Sequence, residues 1–600
     1  MALSRSRSLQ KDKLERFKSF PFMEAAIALV VIVVLAALFI DTRNMPRSSK
    51  PRLVQSGGTN ALEFDVITVN TIIAKEFNLS NVGGVLVNNV PKGSARRLID
   101  IRRGDVILEY NGVDVQSANH LAYLMSQSKP SEKVSFVIWR NGRIMNMADK
   151  IPVHAGIDIF GPNGRDILVV LVIVFITFSM LFLNLFNRTV CVTLGAVLML
   201  VAGSVFGFYN QTEAFDSIRM SPIFIFMGMS IFTIFLEDLR FFEYVSKKII
   251  ITSKADSVKV ILSLCIMTFI ASALVNNMSV ILVIIPITIY ASRGLNFEPV
   301  TVVIAEIISS VIGGNITPIG DFSNMLMASS AGLTFMDFLI VMGPICAVFL
   351  AVFLWYLWFF ELRHKGKVKS LKLEKAFLSK VEQEVGAMKM DWPNIKRVLF
   401  ILGCVLLAFI VLPSFKIHLA PIAMGGAFIL LAIENQKAKE VIKKISLTDI
   451  LFFFALFLIV GGALYSGLLK VVSDGLIAMS MGNKILYPIF LMLVTTLLTA
   501  LMSSGPASAF LVPIVMHSGF ADFTDVVWWA LNLGSIAGAC ACISGASAGI
   551  IAQTLAEELG TDQKKKEGLT FANYSRLGIP ITIVILVLST FYIIFLSIIP

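Results

Sequence analysis

The chain has 600 residues, 56% of them hydrophobic and only 15% charged, with a mean hydropathy of +0.80. These values exclude an ordinary soluble enzyme and place the chain among polytopic membrane proteins with room for one small soluble domain. The net charge of +11 lies mostly in short segments between apolar runs. That positive-inside pattern speaks for orientation in a bilayer and against nucleic-acid binding.

Residues 1–21 carry Arg5, Arg7, Lys11, Lys13, Arg16 and Lys18, and the run Phe22–Ile40 is largely apolar. No small-residue cleavage site follows, which predicts a retained signal anchor with a cytoplasmic N-terminus. The flank beyond it (Arg43, Arg47, Lys50, Arg52) is also basic, so local charge alone leaves that orientation open. Residues 41–61 read as a Pro/Ser/Gly linker.

Between about 62 and 155 the pattern changes. Val85-Leu86-Val87, Val106-Ile107-Leu108 and Val134-Ser135-Phe136-Val137-Ile138 are strand-like, with Gly83-Gly84, Gly104-Asp105 and Asn111-Gly112 as turns between them. A helix is expected near 117–127.

Membrane spans follow at 166–187, 189–209 and 221–238. The apolar stretch 258–290 is interrupted at Val275-Asn276-Asn277-Met278-Ser279. A broken segment at 300–332, a span at about 336–361 and a charged loop at about 362–395 come next. The second set repeats the order: 396–413, 419–434, 448–468, an interrupted stretch 483–517, a broken segment 524–556, and 569–599.

The expected fold is mainly α, a polytopic membrane protein whose transporter core is an inverted repeat with re-entrant hairpins and broken helices, plus a small β-rich domain. Its parts are 1–61, 62–155, a first repeat 166–361, the loop 362–395 and a second repeat 396–600. With the anchor running outward, the β-rich domain lies outside. Loops 239–257, 362–395, 435–447 and 560–568 then all fall inside, provided that 258–290 and 483–517 are hairpins entering from opposite faces.

Within Ile304–Leu333 the middle, Gly313 to Asn324, is full of glycine, proline and polar side chains. Lipid cannot hydrogen-bond a broken backbone, so such a segment belongs inside protein or beside a watery cavity, where secondary transporters build ion sites. A weaker copy lies at Leu531–Gly549. At the first hairpin tip Asn276, Asn277 and Ser279 offer polar groups, and a helix starting there points free N–H groups inward. In the break, Gly313, Gly314 and Gly320 allow close backbone approach and Pro318 removes a helix donor. The freed carbonyls, with Asn315, Thr317 and Asn324, suit a hard cation. Asp321 and, before the break, Glu306 are intramembrane carboxylates able to carry a cation or a proton. The structural alternative for both is a carboxylate that merely caps backbone N–H groups.

Two family resemblances rest on these residues. GGVLVNNVPKGSARR, IRRGDVILEYNGVDV and VSFVIWRNGR resemble a PDZ domain of the bacterial protease-associated kind. The resemblance implies that Gly84, Val85, Leu86 and Val87 form a carboxylate-binding loop and edge strand for a protein C-terminus. The alternative is a spacer or oligomerisation module. ALVNNMSVILVIIP, AEIISSVIGGNITPIGDFSNMLMASSAG and LTDILFFFALFLIVGGALYSGLL resemble the ion transporter superfamily. Its members include arsenite-pump membrane subunits, sodium–proton antiporters of the NhaD type, the pigment P protein and citrate-type carriers.

That resemblance implies a secondary active transporter of small ions, not an enzyme, working by cation/proton antiport or ion-coupled anion transport. It implies no resident cofactor, with sodium or a proton as coupling ion. It adds the second tip, Ser503, Ser504 and Gly505, and the second break, Ser544, Gly545 and Ser547, to the ion-binding set. The setting would be a bacterial inner membrane or a specialised intracellular one, and a homodimer stays open.

The chain departs from the family where Asn276 and Ser503 replace hairpin aspartates and Gly549 replaces an asparagine. The alternative function is therefore a transport-inactive scaffold or sensor acting through its PDZ-like domain. No CxxC, HExxH or P-loop pattern occurs, so neither a disulfide, a metal site nor an ATPase is expected.

Overall fold

The computed structural model describes residues 164–182, 187–362, 371–518, 525–549, 552 and 569–598 of the helical part. Before them it describes 65–68, 84–89, 105–110, 112–115, 121, 133–140 and 143–150. The expected anchor, the linker, the loop 560–568 and all but Leu121 of the helix near 117–127 lie outside the described residues.

The N-terminal sheet comprises β1 (Asp65–Thr68), β2 (Val85–Asn89), β3 (Val106–Tyr110), β4 (Val113–Asp114), β5 (Lys133–Arg140) and β6 (Arg143–Lys150). Every pairing is antiparallel, in the order β1-β2-β3-β5-β6, and β4 folds back on β3. Alternation sets the buried face: Phe136 and Ile138 are buried while Ser135 is exposed. Tyr110 meets Phe136 edge-on at 5.0 Å. Gly84 has φ +97°, and a Cβ there would lie 2.7 Å from the Ile107 carbonyl oxygen, so only glycine opens β2. The expected edge strand is corrected here. β2, with Val85, Leu86 and Val87, pairs with β1 on one side and β3 on the other, and among the described residues β1 is the outer strand on that side. Edge position depends on a long-range partner, which the local pattern of β2 does not reveal.

The helical part starts with α1 (Gly164–Phe182), α2 (Arg188–Phe206), α3 (Gln211–Asp216), α4 (Met220–Asp238) and α5 (Phe241–Thr252). The first hairpin is α6 (Ser257–Leu274) and α7 (Asn277–Leu295). The first broken pair is α8 (Pro299–Gly314) and α9 (Phe322–Ala331), followed by α10 (Phe335–Tyr356) and α11 (Leu371–Ala387). The second half has α12 (Trp392–Val411), α13 (Leu419–Ile433), α14 (Asn435–Lys444), α15 (Leu447–Tyr465) and α16 (Leu468–Met479). Then come the second hairpin, α17 (Leu486–Met502) and α18 (Ser504–His517), the second broken helix α19 (Val526–Ala541), and α20 (Phe571–Ile598).

Among the described residues nine helices are long and apolar enough to cross a membrane, and α8, α13, α17, α18 and α19 are shorter apolar helices. The chain is thus an integral membrane protein of mainly α fold. α6 and α7 form a hairpin in fact: Ser257 Oγ donates to the Leu295 carbonyl at 3.5 Å, closing its base. The charged loops are more ordered than the sequence suggested, since α5, α11 and α14 occupy much of them. Each is an amphipathic helix that buries part of its apolar side, Ile250 of α5, Val381 of α11 and Val441 of α14 completely. Val381 and Phe377 of α11 pack with Ile250 of α5, Leu264 of α6 and Ala291 of α7 in a core of their own. Lys247 of α5 bridges Glu384 of α11 at 2.9 Å, and Lys444 of α14 pairs with Asp238 at the end of α4. Three of the four basic loops therefore converge on one end of the bundle.

Candidate functional site

The first break is built by backbone contact. A Cβ on Gly313 would lie 2.1 Å from the Phe269 carbonyl oxygen, and one on Gly320 would lie 2.5 Å from that of Ser272. Only glycine lets α8 and the break press this closely on α6. Thr317 Oγ1 then donates to the Ala273 carbonyl at 2.7 Å, and the Asn277 N–H donates to the Gly320 carbonyl at 3.0 Å. At the tip the Asn276 side chain accepts the Met278 N–H at 3.0 Å, which starts α7. Asn324 Nδ2 reaches back to the carbonyls of Gly314 and Thr317 at 3.1 and 3.0 Å, so one amide satisfies two acceptors freed by the break. Asn315 Nδ2 donates to the Val311 carbonyl, while Asn315 Oδ1 and Asn277 Oδ1 are buried without partners.

The second break repeats the joint. Ser544 Oγ donates to the Ala500 carbonyl at 2.8 Å, across the same 44-residue separation as the Thr317 bond. A Cβ on Gly545 would lie 2.5 Å from the Gly538 carbonyl oxygen, and one on Gly538 2.4 Å from that of Thr496. The second tip turns at Ser503 with φ +77° and ψ 159°, a region that favours glycine.

Asp321 joins the two halves. Its Oδ1 accepts the Phe322 N–H at 2.9 Å, capping α9. Its Oδ2 accepts two hydroxyls at 2.8 Å, Ser323 Oγ from its own helix and Ser504 Oγ from the opposite hairpin tip. Asn532 Nδ2 makes a second crossing, to Asn324 Oδ1 at 2.9 Å. Asp321 lines a cavity with Phe322, Ser503, Ser504, Gly505, Ser544 and Ser547. The cavity measures about 40 Å³, against the ~10–15 Å³ that one water centre needs. It therefore has room for an ion with a few waters. Phe322 stacks on Phe453 at 3.4 Å and makes one wall apolar.

Sequence reasoning missed Arg188, which also lines the cavity, donates to Asp449 Oδ1 at 2.5 Å, and packs 5.5 Å from the Phe452 ring. The only sequence signal was a charge in the first turn of each of two spans, α2 and α15. Asn532 was visible within the second copy of the break but was not singled out. Of the expected residues, Asp321, Ser503, Ser504, Gly505, Ser544 and Ser547 come together around the cavity. Asn276, Asn277, Gly314, Asn315, Thr317, Asn324 and Gly545 build the joints behind it. Ser279 is half-buried near the first tip and does not line the cavity, and Glu306 lies apart from it in α8. Gly84 to Val87 belong to the separate sheet. Among the described residues no group of three or more His, Cys, Asp or Glu side chains could hold a metal.

Comparison with known proteins accords with this geometry. The sequence profile of a PDZ domain matches residues 86–140, and that of the citrate transporter family matches residues 170–534. The magnetosome protein MamN of Magnetospirillum gryphiswaldense is 28% identical over 425 residues, spanning 70% of this chain and 96% of that protein. The uncharacterized transporter Rv2684 of Mycobacterium tuberculosis is 25% identical, spanning 68% and 93%. The P protein of Homo sapiens is 24% identical, spanning 68% of this chain and 57% of that protein. A solved structure, the Alcanivorax borkumensis YdaH transporter, superposes with a TM-score of 0.42 at 14% identity over 63% of this chain and 86% of that one. The ion transporter resemblance read from the two breaks holds: the chain is a membrane transport protein with a PDZ domain, and it belongs to the citrate transporter family.

Proposed function

We propose that the protein is a secondary active transporter of small ions, driven by a sodium or proton gradient, in which Asp321 is the charged centre of the site. The observation that carries this reading is the Asp321 carboxylate itself, buried at the meeting of both breaks, bonded by a hydroxyl from each half and open to a small cavity. An unneeded carboxylate at that depth would be expensive. The partnerless Asn277 and Asn315 carbonyl oxygens supply further hard ligands for a sodium ion close by. The cavity volume favours a small ion, and a larger carboxylate would need the hairpin tips to part. Arg188 at the rim allows the transported species to be an anion accompanied by the coupling cation.

The likeness to magnetosome proteins supports a bacterial inner or specialised intracellular membrane. The PDZ domain would sit on its outer side as a peptide-binding or assembly module. With β2 enclosed, its open edge for a peptide would be β1.

The test uses purified protein in liposomes with a trapped pH dye, pulsed in turn with sodium, potassium, arsenite and dicarboxylates. A cation-dependent collapse of the pH gradient supports antiport, and a response to arsenite or a carboxylate alone moves the cargo to the anions. Asp321→Asn should abolish either response while leaving insertion intact. Silence of the folded wild type to every pulse, or full activity of the variant, would overturn the reading.

A further inference from the structure

Glu306 lies in the middle of α8, fully buried where α8 meets α6 and α7. Thr288 Oγ1 of α7 donates to its Oε1 at 2.5 Å, and its Oε2 is buried without a partner. Cys265 faces it from α6, and among the described residues no charged side chain approaches it from any packed helix. An ionised carboxylate with no counter-charge is too expensive to rest in such surroundings, so the site as built suits the neutral acid.

A merely structural acid would need nothing more. Yet one turn further along the same face of α8 come Ser309 and Ser310. Ser309 Oγ is buried against the Cys265 thiol, and Ser310 Oγ lies 2.8 Å from Ser272 Oγ and 3.5 Å from the Asn277 carbonyl. Polar side chains thus succeed one another along α8 from Glu306 toward the first hairpin tip, the bonded part being Ser310, Ser272 and the Asn277 carbonyl. Two atoms along this path, Glu306 Oε2 and Asn277 Oδ1, are unsatisfied.

We propose that Glu306 is a reversible proton-binding site, separate from the Asp321 cavity and reached from the tip of the first hairpin through Ser309, Ser310 and Ser272. This rests on the transporter reading above and specifies its coupling ion as a proton. A proton from water at the tip passes along the hydroxyls, each accepting one and releasing one, and forms an O–H bond on Oε2. The carboxylate charge is cancelled and nothing is oxidised or reduced. Release leaves a negative charge, which a cation among the Asn277 and Asn315 oxygens would offset. Proton release and cation entry therefore favour each other.

The experiment is infrared difference spectroscopy of the full chain in lipid as the pH is stepped from acid to alkaline, with the proton itself as the probe. The expected result is a protonated-carboxyl band that disappears and returns with pH. It should be missing in folded Glu306→Gln and displaced in frequency in Thr288→Val, which removes the bond to Oε1. If Glu306→Gln fails to fold, the Thr288→Val displacement decides. A Glu306 band that never changes with pH means a permanently neutral structural acid and overturns the proposal, as does the absence of any band sensitive to residue 288 or 306. In liposomes, Glu306→Gln should lose pH-gradient-driven accumulation of the responding ion at least tenfold. Retained pH coupling refutes Glu306 alone, whereas an Asp321→Asn protein that still transports refutes the underlying reading.

Discussion

The bond between Ser504 and Asp321 gives the sharpest quantitative test of how the two halves are joined. The Ser504 hydroxyl donates to Asp321 Oδ2 at 2.8 Å in a buried setting. A hydrogen bond to a charged acceptor contributes about 1.5–3 kcal/mol, and one to a neutral acceptor about 0.5–1.5. Ser504→Ala should therefore weaken docking of the second tip by about 2 kcal/mol, roughly a thirtyfold change in its opening equilibrium. In an Asp321→Asn background the same substitution should cost only about 1 kcal/mol, roughly fivefold. The readout is amide hydrogen exchange at residues 500–508, which reports local opening directly. The double-mutant cycle should return a coupling of about 1 kcal/mol, above the ~0.3–0.5 kcal/mol scatter of independent sites. If Ser504→Ala speeds exchange by the same factor in both backgrounds, Asp321 is not charged toward this hydroxyl, and the proposed site loses its centre.

Three further outcomes are expected. Gly313→Ala sets a methyl 2.1 Å from the Phe269 carbonyl oxygen and should lower the melting temperature in detergent by forcing α8 off α6. Gly403→Ala, with nothing within 4 Å, should not. Ser503→Gly relieves a left-handed backbone and should stabilise the protein by about 1 kcal/mol, visible as a raised melting temperature. At α11, burial works against charge on Glu384 and Glu243, but hydrogen bonds from Lys247, with Tyr290 and Arg240, outweigh it. Both carboxyls are held below their ordinary range. A lowered carboxyl contributes stability above its unfolded value of about 4.3 and loses it as pH falls through the folded value. Docking of α11 should therefore weaken in acid, seen as faster proteolysis of the 363–390 segment, and Glu384→Gln should flatten that dependence.

The broken helices were legible because glycine, proline and polar residues inside an apolar run have few physical solutions, and their position after an interrupted hairpin was legible from order alone. Asp321 could be picked out for the same reason. What stayed hidden depends on partners far along the chain. Arg188 meets Asp449 across 261 residues, and neither residue carries a local mark of that pairing. β2 reads as an edge strand until β1, four residues long, is placed beside it. The helices α5, α11 and α14 read as charged loops because charges interrupt their apolar stripes, and their burial is supplied by other elements, α5 and α11 covering each other and α14 packing on α4 and α13.

The two joints share a frame but not a chemistry. Superposing the Thr317–Ala273 bond on the Ser544–Ala500 bond sets Ser504 opposite Asn277 and Ala548 opposite Asp321. The first half keeps the carboxylate, and the second supplies hydroxyls and the Asn532 amide. Within each half the hairpin is fastened to its own broken helix by glycine contacts to backbone, at Gly313 on Phe269 and at Gly538 on Thr496. Such contacts leave little slack within either half. Between the halves the polar links around the cavity are side-chain bonds, Ser504 to Asp321 and Asn532 to Asn324. The cation proposed to bind at Asp321 would compete for the same oxygen that holds Ser504, so its occupancy would be felt at the seam between the halves. On the proposed function, Asp321 is therefore placed where binding one small ion would change how the two halves fit together.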